Sequence, residues 1–103
     1  MEVIEIKPSE WFLLKHEGEY YIDVYCHSGF FSFSAVVQLN ASEKANYCAH
    51  GVIFIESLAE AIAGTAEYNH PRNIKEQGLL GLVTESIKVW RQDKNYKSLN
   101  RDS

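Results

Sequence analysis

Residues 40–67 read NASEKANYCAHGVIFIESLAEAIAGTAE and carry the clearest periodic signal in the chain. Asn40 is a favoured N-cap residue and Glu43 follows three positions later, so the pair predicts a capping box at the start of a helix. Apolar residues then recur at spacings of four and three, as on one face of an α-helix. This stripe consists of Cys48, Val52, Ile55, Ala59, Ile62 and Ala66. We therefore predict one long helix over residues 40–67, weakened locally by Gly51 and Gly64.

The apolar face of this helix must pack against another apolar surface. The preceding segment of the chain supplies that surface, because it is predicted to form β-strands. Residues 20–27 alternate between two faces. One face carries Tyr20, Ile22, Val24 and Cys26, and the other carries Tyr21, Asp23, Tyr25 and His27. We assign the first set to the core, because Asp23 and His27 favour water. Turns at Glu17-Gly18-Glu19 and Ser28-Gly29 separate this strand from its neighbours, and residues 31–39 form the next one.

The part of the chain after the long helix is less regular. Residues 68–76 read as a loop, and apolar spacing predicts a second helix from about Leu79 to Asp93. The pattern over 72–83 fits a helix, a strand or a loop, and 95–103 reads as a frayed polar tail. The predicted fold class is α+β. It comprises a three- to four-stranded antiparallel meander sheet packed by a long helix, with a second C-terminal helix, in one domain spanning 1–103.

Composition and charge limit the classes of function. The chain is 46% hydrophobic and carries a formal net charge of −4, which suits a packed globular domain. Residues 1–60 contain nine acidic residues and three lysines, whereas residues 61–103 contain five acidic and seven basic residues. An acidic body disfavours nucleic acid and favours a basic partner. Neither a signal peptide nor a membrane span is predicted, so we expect a cytoplasmic protein that does not bind membranes.

The sequence contains no recognisable catalytic or metal-binding constellation. Cys26 and His27 are adjacent on a strand and point to opposite faces, and Cys48 and His50 are two apart on a helix. Both cysteines fall on predicted core faces, where a thiol is inert. We therefore predict a protein with no metal, no cofactor and no catalytic residues.

A partner-binding surface is the strongest functional signal in the residues themselves. Tyrosines beside a carboxylate on an outward sheet face provide rigid apolar area together with charge, as interface hot spots do. Acidic residues at the adjoining turn and on the far side of the long helix add negative charge. The predicted partner-binding residues are Glu17, Glu19, Tyr21, Asp23, Tyr25, His27, Glu56 and Glu60. Two structural alternatives stay open: tyrosine is a good strand former, and the second helix would cover the same face.

Part of the sequence resembles small bacterial proteins encoded beside polymorphic toxins, including immunity proteins of contact-dependent growth inhibition systems. The likeness covers roughly residues 11–67, with a weaker echo at 87–91. It rests on residues 19–24 (EYYIDV), His27-Ser28, residues 33–40 (FSAVVQLN), Tyr47, Gly51, Phe54 and residues 58–62 (LAEAI). These motifs are mostly structural, so the resemblance implies the fold and the immunity role but no binding residue.

The resemblance and the charge together predict a cytosolic immunity protein, monomeric when free. Its partner would be a cognate toxin domain. We expect this toxin domain to be a nuclease with a basic substrate cleft. Glu17, Glu19, Asp23, Glu56 and Glu60 would steer the partner, and Tyr21 and Tyr25 would anchor it. One alternative is a small ligand-binding domain or enzyme with a pocket between sheet and helix, lined by Cys26, Cys48 or His50. The other is a homodimer that pairs through the strand Tyr20–His27.

Overall fold

The computed structural model describes residues 1–28, 31–65 and 70–102, and it gives the backbone alone at 27, 28, 31, 65 and 94–102. Four strands come first in the chain: β1 Glu2–Lys7, β2 Trp11–His16, β3 Glu19–Ser28 and β4 Phe31–Gln38. Each strand pairs antiparallel with the next, which gives the sheet order β1-β2-β3-β4. Within the described residues three helices follow: α1 Ala41–His50, α2 Val52–Thr65 and α3 Gln77–Asp102. The predicted α+β class and antiparallel meander are confirmed.

Tight turns set the register of the first three strands. Between β2 and β3, Glu17 and Gly18 have φ values of 51° and 80°, as a type I′ hairpin turn requires. Between β1 and β2, the Glu10 amide donates to the Lys7 carbonyl at 3.0 Å, and Ser9 has a φ of 65°. Pro8 followed by a residue of positive φ is the order of a type II turn. The predicted turn at Ser28-Gly29 falls partly outside the described residues.

The predicted single helix over residues 40–67 is wrong, because Gly51 divides it into α1 and α2. The capping box is confirmed: the Glu43 amide donates to Asn40 Oδ1 at 2.9 Å, and the Asn40 amide donates to Glu43 Oε1 at 2.8 Å. Gly51 has φ 68° and ψ −145°, a conformation that residues with a Cβ rarely adopt. Its amide donates to the Tyr47 carbonyl at 2.7 Å and closes the last turn of α1. The described part of α2 ends at Thr65, so Ala66 and Glu67 lie outside it.

The break changes which residues face the core. Ile55 and Ala59 are buried as predicted, but Cys48 is exposed, as are Val52 and Ile53. A helix that restarts after Gly51 need not keep the angular phase of the helix before it, so the stripe predicted across both halves fails at the break.

The inner core lies between one face of the sheet and the helices α1 and α2. The sheet contributes alternate residues from three neighbouring strands, as a pleated sheet with a buried face does. The buried members are Trp11, Leu13, Ile22, Val24, Cys26, Ala35, Val37, Leu39, Ile55 and Ala59. The assignment of Ile22, Val24 and Cys26 to the core is therefore confirmed.

The opposite face of the sheet is also covered, by α3. A second core joins Leu14, Tyr21 and Val36 of the sheet to Val83 and Ile87 of the helix. Tyr21 is only 7% exposed, so the expectation that it projects into solvent is wrong. The reason is that α3 packs on this face of the sheet, which was one of the two structural alternatives left open above. The helix begins at Gln77, earlier than the predicted Leu79, and its backbone stays helical to Asp102, well past the predicted end at Asp93.

The start of α3 is set by Glu76, whose carboxylate accepts from the Gly78 amide at 2.8 Å and the Leu79 amide at 2.7 Å. These are orphan donors of a first helical turn. The chain between residues 70 and 76 is a loop, which resolves the ambiguous stretch 72–83 into loop followed by helix.

That loop is fastened to the edge of the sheet by a few bonds, which we call the Arg72 latch. Arg72 donates through both terminal nitrogens to the Glu43 carboxylate, at 2.9 Å and 2.6 Å, and donates to the Gln38 carbonyl at 3.0 Å. Two residues later, the Ile74 amide donates to the Val36 carbonyl at 2.8 Å. The latch thus occupies two carbonyl groups of β4 and holds the loop beside α1.

Strand β3 lies inside the sheet, between β2 and β4. Its backbone groups are already paired with these two strands, so a homodimer that pairs through Tyr20–His27 is excluded. The edge strands of the sheet are β1 and β4.

Candidate partner-binding surface

The predicted binding residues do not form one surface, because they lie at the two ends of the strands. Glu17 lies in the hairpin turn before β3 and Glu19 is the first residue of that strand, while Tyr25 lies six residues after Glu19 along it. At about 3.3 Å per residue, Glu19 and Tyr25 are about 20 Å apart. His27 belongs to β3 by its backbone, but its side chain is outside the described part of the chain.

The Glu17–Glu19 end offers little free charge. Glu19 accepts an ion-pair contact from Lys44 of α1 at 3.0 Å, and this hydrogen bond lowers the pKa of the Glu19 carboxyl. Glu17 is highly exposed and lies 3.9 Å from the His16 imidazole. An exposed pair of this kind contributes little to the stability of the fold.

The other end of β3 carries an exposed projection formed by Tyr25 and Glu10, which we call the Tyr25 ridge. Tyr25 is 44% exposed, whereas Tyr21 on the same face of the strand is buried by α3. The ridge is held by the backbone, since the Tyr25 amide donates to the Glu10 carbonyl at 2.9 Å. A rigidly mounted, half-exposed tyrosine is well suited to anchor a partner protein.

An acidic concavity lies on the α2 side of the Tyr25 ridge. It is shallow, about 220 Å³, and Glu56 and Glu60 of α2 line it together with Glu10 and Tyr25. The one basic side chain in its lining is Lys7, which is 3.4 Å from Glu10. Three carboxylates against one ammonium leave this concavity negatively charged. The structure therefore brings predicted residues Tyr25, Glu56 and Glu60 together.

A larger groove of about 750 Å³ lies on the α3 side of the same ridge, with Asp23 in its lining. Burial raises the pKa of the Asp23 carboxyl, and a hydrogen bond with Ser34 and the positive charge of Arg91 oppose that rise. Arg91 also lies over the Phe12 ring, 5.6 Å from its centroid. Asp23 is thus partly enclosed rather than projecting freely, and the charges of Lys88 and Arg91 offset those of Asp23 and Glu10 in this groove.

Two residues that the sequence argument missed belong to this surface. Glu10 had no signal beyond its charge, because its position depends on the turn that follows Pro8. Ile53 is 71% exposed on α2 and, at helical spacings of three and seven, lies on the same face as Glu56 and Glu60. The sequence signal that could have identified Ile53 was Gly51, because α1 ends at His50 and α2 begins at Val52, on either side of this glycine.

A separate cavity of about 260 Å³ lies between the sheet and α2. Apolar side chains, including Cys26, Phe33, Leu58 and Ile62, form its walls, and His70 and Arg72 are also in its lining. Burial raises the pKa of the Cys26 thiol, which disfavours the thiolate. Cys48 and His50, which were expected at such a pocket, are instead exposed on α1 and do not line it.

Two further properties concern metals and membranes. In the part of the chain that the structure describes, no group of three or more His, Cys, Asp or Glu side chains is arranged to hold a metal ion. Of the helices within residues 1–28, 31–65 and 70–102, none has both the length and the apolar character needed to cross a membrane.

Comparison with known proteins gave no relative for this chain. No family model matches it, and searches against curated proteins and against solved structures found no match. The resemblance to immunity proteins described above therefore stays a prediction from the sequence motifs.

Proposed function

We propose that this chain is a cytosolic, non-enzymatic immunity protein that binds a cognate toxin domain through the Tyr25 ridge and the acidic concavity beside it. The observation that carries the proposal is the pairing of a rigid, half-exposed tyrosine with an excess of carboxylates at one place on the surface. The resemblance of residues 11–67 to immunity proteins supports the same role.

The chemistry of the surface favours a basic partner. Tyr25 provides apolar area that a partner would desolvate, and Glu56 and Glu60 line the same concavity with charge. Ile53 adds exposed apolar area on the face of α2 that carries these two glutamates. Aromatic anchors inside a polar rim are typical of energetically important interface regions. A toxin that acts on nucleic acid needs a basic cleft for the phosphate backbone, and carboxylates placed like phosphates would compete for that cleft.

The first test is co-purification of the tagged chain with the product of the gene next to its own, at low and at high salt. We expect a stable complex whose recovery falls markedly as salt rises, because attraction between exposed charges is screened beyond about 10 Å at 0.1 M ionic strength. Equal recovery of the complex at both salt concentrations would remove the electrostatic contribution from the proposal. The absence of any complex would count against the immunity role itself.

The second test compares two charge reversals that differ in position but not in chemistry. Glu60→Lys changes the acidic concavity, whereas Glu17→Lys makes the same change at the opposite end of β3. We expect the first to slow association about tenfold at low salt and the second to change it by less than about twofold. The reverse order would move the binding surface to the hairpin turn.

The anchoring role of Tyr25 is tested by Tyr25→Ala, with Tyr25→Phe as a conservative control. Loss of a central aromatic anchor costs about 2 kcal/mol or more, which appears mainly as faster dissociation. Retention of tight binding in the phenylalanine variant would assign that energy to the ring. Unchanged dissociation of the alanine variant would contradict the proposed anchor.

A ligand-binding role is the second candidate, favoured by the cavity beside Cys26. Its volume of about 260 Å³ falls just below the 300 Å³ at which ligand pockets usually begin, so only a very small apolar molecule would fit. Native mass spectrometry of the purified protein would reveal a bound molecule. A spectrum of the bare chain, combined with toxin binding, would favour the immunity role.

A further inference from the structure

Beyond the proposed immunity surface, a second concavity lies between the edge strand β1 and helix α3, which we call the β1–α3 groove. It has a volume of about 530 Å³ and is lined on one side by residues 1–3 and on the other by Leu82, Glu85 and Val89. Ser86 Oγ of α3 lies 2.7 Å from the Leu82 carbonyl of its own helix and 3.0 Å from the Met1 carbonyl, so its one hydrogen serves these two acceptors. Met1 and Val3 also pack against the core that Val83 and Ile87 of α3 join, which holds the start of the chain beside the helix.

The strand that borders this groove has one free side. β1 pairs with β2 on its inner side, and none of the strands in the described residues lies on its outer side. The opposite edge differs, because the Arg72 latch already occupies the Val36 and Gln38 carbonyls of β4. An exposed strand edge beside a helix is the geometry in which an extended peptide adds to a sheet.

The helix presents apolar side chains to the same groove. Leu82 is 42% exposed and Val89 is 54% exposed, and their spacing of seven residues places both on one face of α3. In a strand added to β1, alternate side chains would point towards this face of the helix. The groove thus supplies both backbone pairing and apolar contact for an extended segment.

The charges of the groove select the kind of occupant. Among the side chains that the structure describes, the charged ones in its lining are Glu2, Glu85 and Asp93, and all three are acidic. A second copy of this chain would bring the same acidic residues against them, and its own β1 would add a second irregularity to the one between Val3 and Glu5. Bulged edges resist pairing with one another, so a short basic peptide fits better than a second copy.

We propose that the β1–α3 groove binds an extended basic peptide segment of a partner protein, which pairs with the outer edge of β1 and places alternate apolar side chains against Leu82 and Val89. This site is separate from the Tyr25 ridge, and its test does not depend on the toxin.

The test uses a fluorescent decapeptide of alternating lysine and valine with blocked ends, and measures its binding to the full chain by anisotropy. We expect saturable binding at low salt and slower amide exchange in β1. The amides of alternate residues in a strand point to the same side, so two control peptides are used, one N-methylated at every valine and one at every lysine. One of the two lacks every donor that faces β1, and we expect that peptide to bind at least about tenfold more weakly than the unmodified one.

Matched variants locate the site. Glu85→Lys in the groove should weaken the peptide at least about tenfold. Ser57→Lys, which adds a lysine at an exposed position of α2 assigned to neither surface, should leave binding within about twofold. Leu82→Ser should likewise weaken it, with Val52→Ser as the exposed apolar control. Equal loss with both lysine variants would mean non-specific charge attraction, and full binding of both N-methylated peptides would exclude strand addition. Dimerisation of the chain through β1 in light scattering would assign the edge to a second copy instead, and each of these three results overturns the proposal.

Discussion

At the scale of single residues, neighbouring positions on one face of β3 have different environments. Tyr21 is buried under α3, Asp23 is partly enclosed in the groove, and Tyr25 is half exposed at the ridge. The difference between Tyr21 and Tyr25 follows from how α3 crosses the sheet, because these two residues have the same type and face the same side of the strand. Each of the three side chains therefore makes a different contribution to stability and binding.

Asp23 is expected to reduce stability at neutral pH. Because burial raises its folded-state pKa above the ordinary value of 3.8, the folded chain holds this proton more tightly than the unfolded chain does. The stability that the protonated Asp23 carboxyl contributes is therefore fully present below pH 3.8, and it is lost as pH rises through the raised pKa. We predict that Asp23→Asn raises the free energy of unfolding at pH 7 and that the gain disappears near pH 3.8, as measured by urea titration.

The control for this prediction is Glu17→Gln, which removes a charge from a highly exposed position. Its effect should be small at both pH values, because an exposed carboxylate keeps its hydration on folding. An equal gain in the two variants at pH 7 would mean that overall negative charge, and not the enclosure of Asp23, limits stability.

At the scale of secondary-structure elements, Gly51 has the largest effect on the helical layer. Its backbone conformation ends α1 and starts α2 in a new phase, which exposes Cys48 and Ile53. A Cβ at this position would meet no atom within 4 Å, so the requirement for glycine comes from backbone conformation and not from close packing.

A pair of glycine substitutions tests this distinction. Gly51→Ala should destabilise the protein by about 1–3 kcal/mol, because the residue occupies a region of φ and ψ that is nearly restricted to glycine. Gly64→Ala should instead stabilise it by about 0.5–1 kcal/mol, since Gly64 is helical and an added Cβ there also meets no atom within 4 Å. Thermal unfolding of the two variants measures both effects, and a shift in the same direction for both would refute the conformational argument.

The Arg72 latch connects the loop to α1 and β4. The hydrogen bond from Arg72 lowers the pKa of Glu43, so this carboxylate stabilises the fold above its ordinary pKa of 4.5 and the contribution is lost as pH falls through the lowered value. We predict that Arg72→Ala costs about 1 kcal/mol at pH 7, a value reduced from that of a buried pair because Arg72 is partly exposed. The loss should shrink in acid.

Arg72→Lys keeps the positive charge but removes the bidentate geometry, and so serves as the control for the latch. Amide exchange at Ile74 reports the result directly, since its amide donates to the Val36 carbonyl. Exchange should accelerate in both variants, and more in the alanine variant. Unchanged exchange in both would show that the loop is held without Arg72.

The elements were predictable from the sequence to different degrees. Period-two alternation, the capping box and the Glu17-Gly18 turn are local signals, and the structure confirms each of them. The break at Gly51 was not predicted, because a glycine inside a helical pattern is compatible both with a continuous helix of lower helix propensity and with the end of a helix. The burial of Tyr21 depends on packing between residues far apart in the chain, and the alternation along β3 contains no information about it.

At the scale of the whole molecule, the sheet separates two cores that share no side chains. Ile55 belongs to the inner core and Ile87 to the outer one. Each Ile→Val change should cost about 0.5–1.5 kcal/mol, and the double variant should lose the sum of the two within about 0.5 kcal/mol. Urea unfolding tests this sum. A double variant well outside it would show that the cores are coupled through the sheet.

The surface was only partly predictable at this scale. Charge counts showed that residues 1–60 are acidic, but they did not show that Glu17 and Glu19 lie about 20 Å from Tyr25 along β3. Nor did they show that Glu10 joins Glu56 and Glu60 around one concavity. The residues of a surface site are assembled by topology, so sequence composition predicted the sign of the charge and not the place.

The Arg72 latch also limits how this protein can self-associate. It closes two carbonyl groups of β4, while the outer side of β1 has no strand beside it in the described residues. Fibre growth by edge-to-edge strand addition needs two open edges on every subunit, one to receive and one to offer. The latch blocks the part of the β4 edge at Val36 and Gln38, so an intact latch disfavours polymerisation into a continuous sheet.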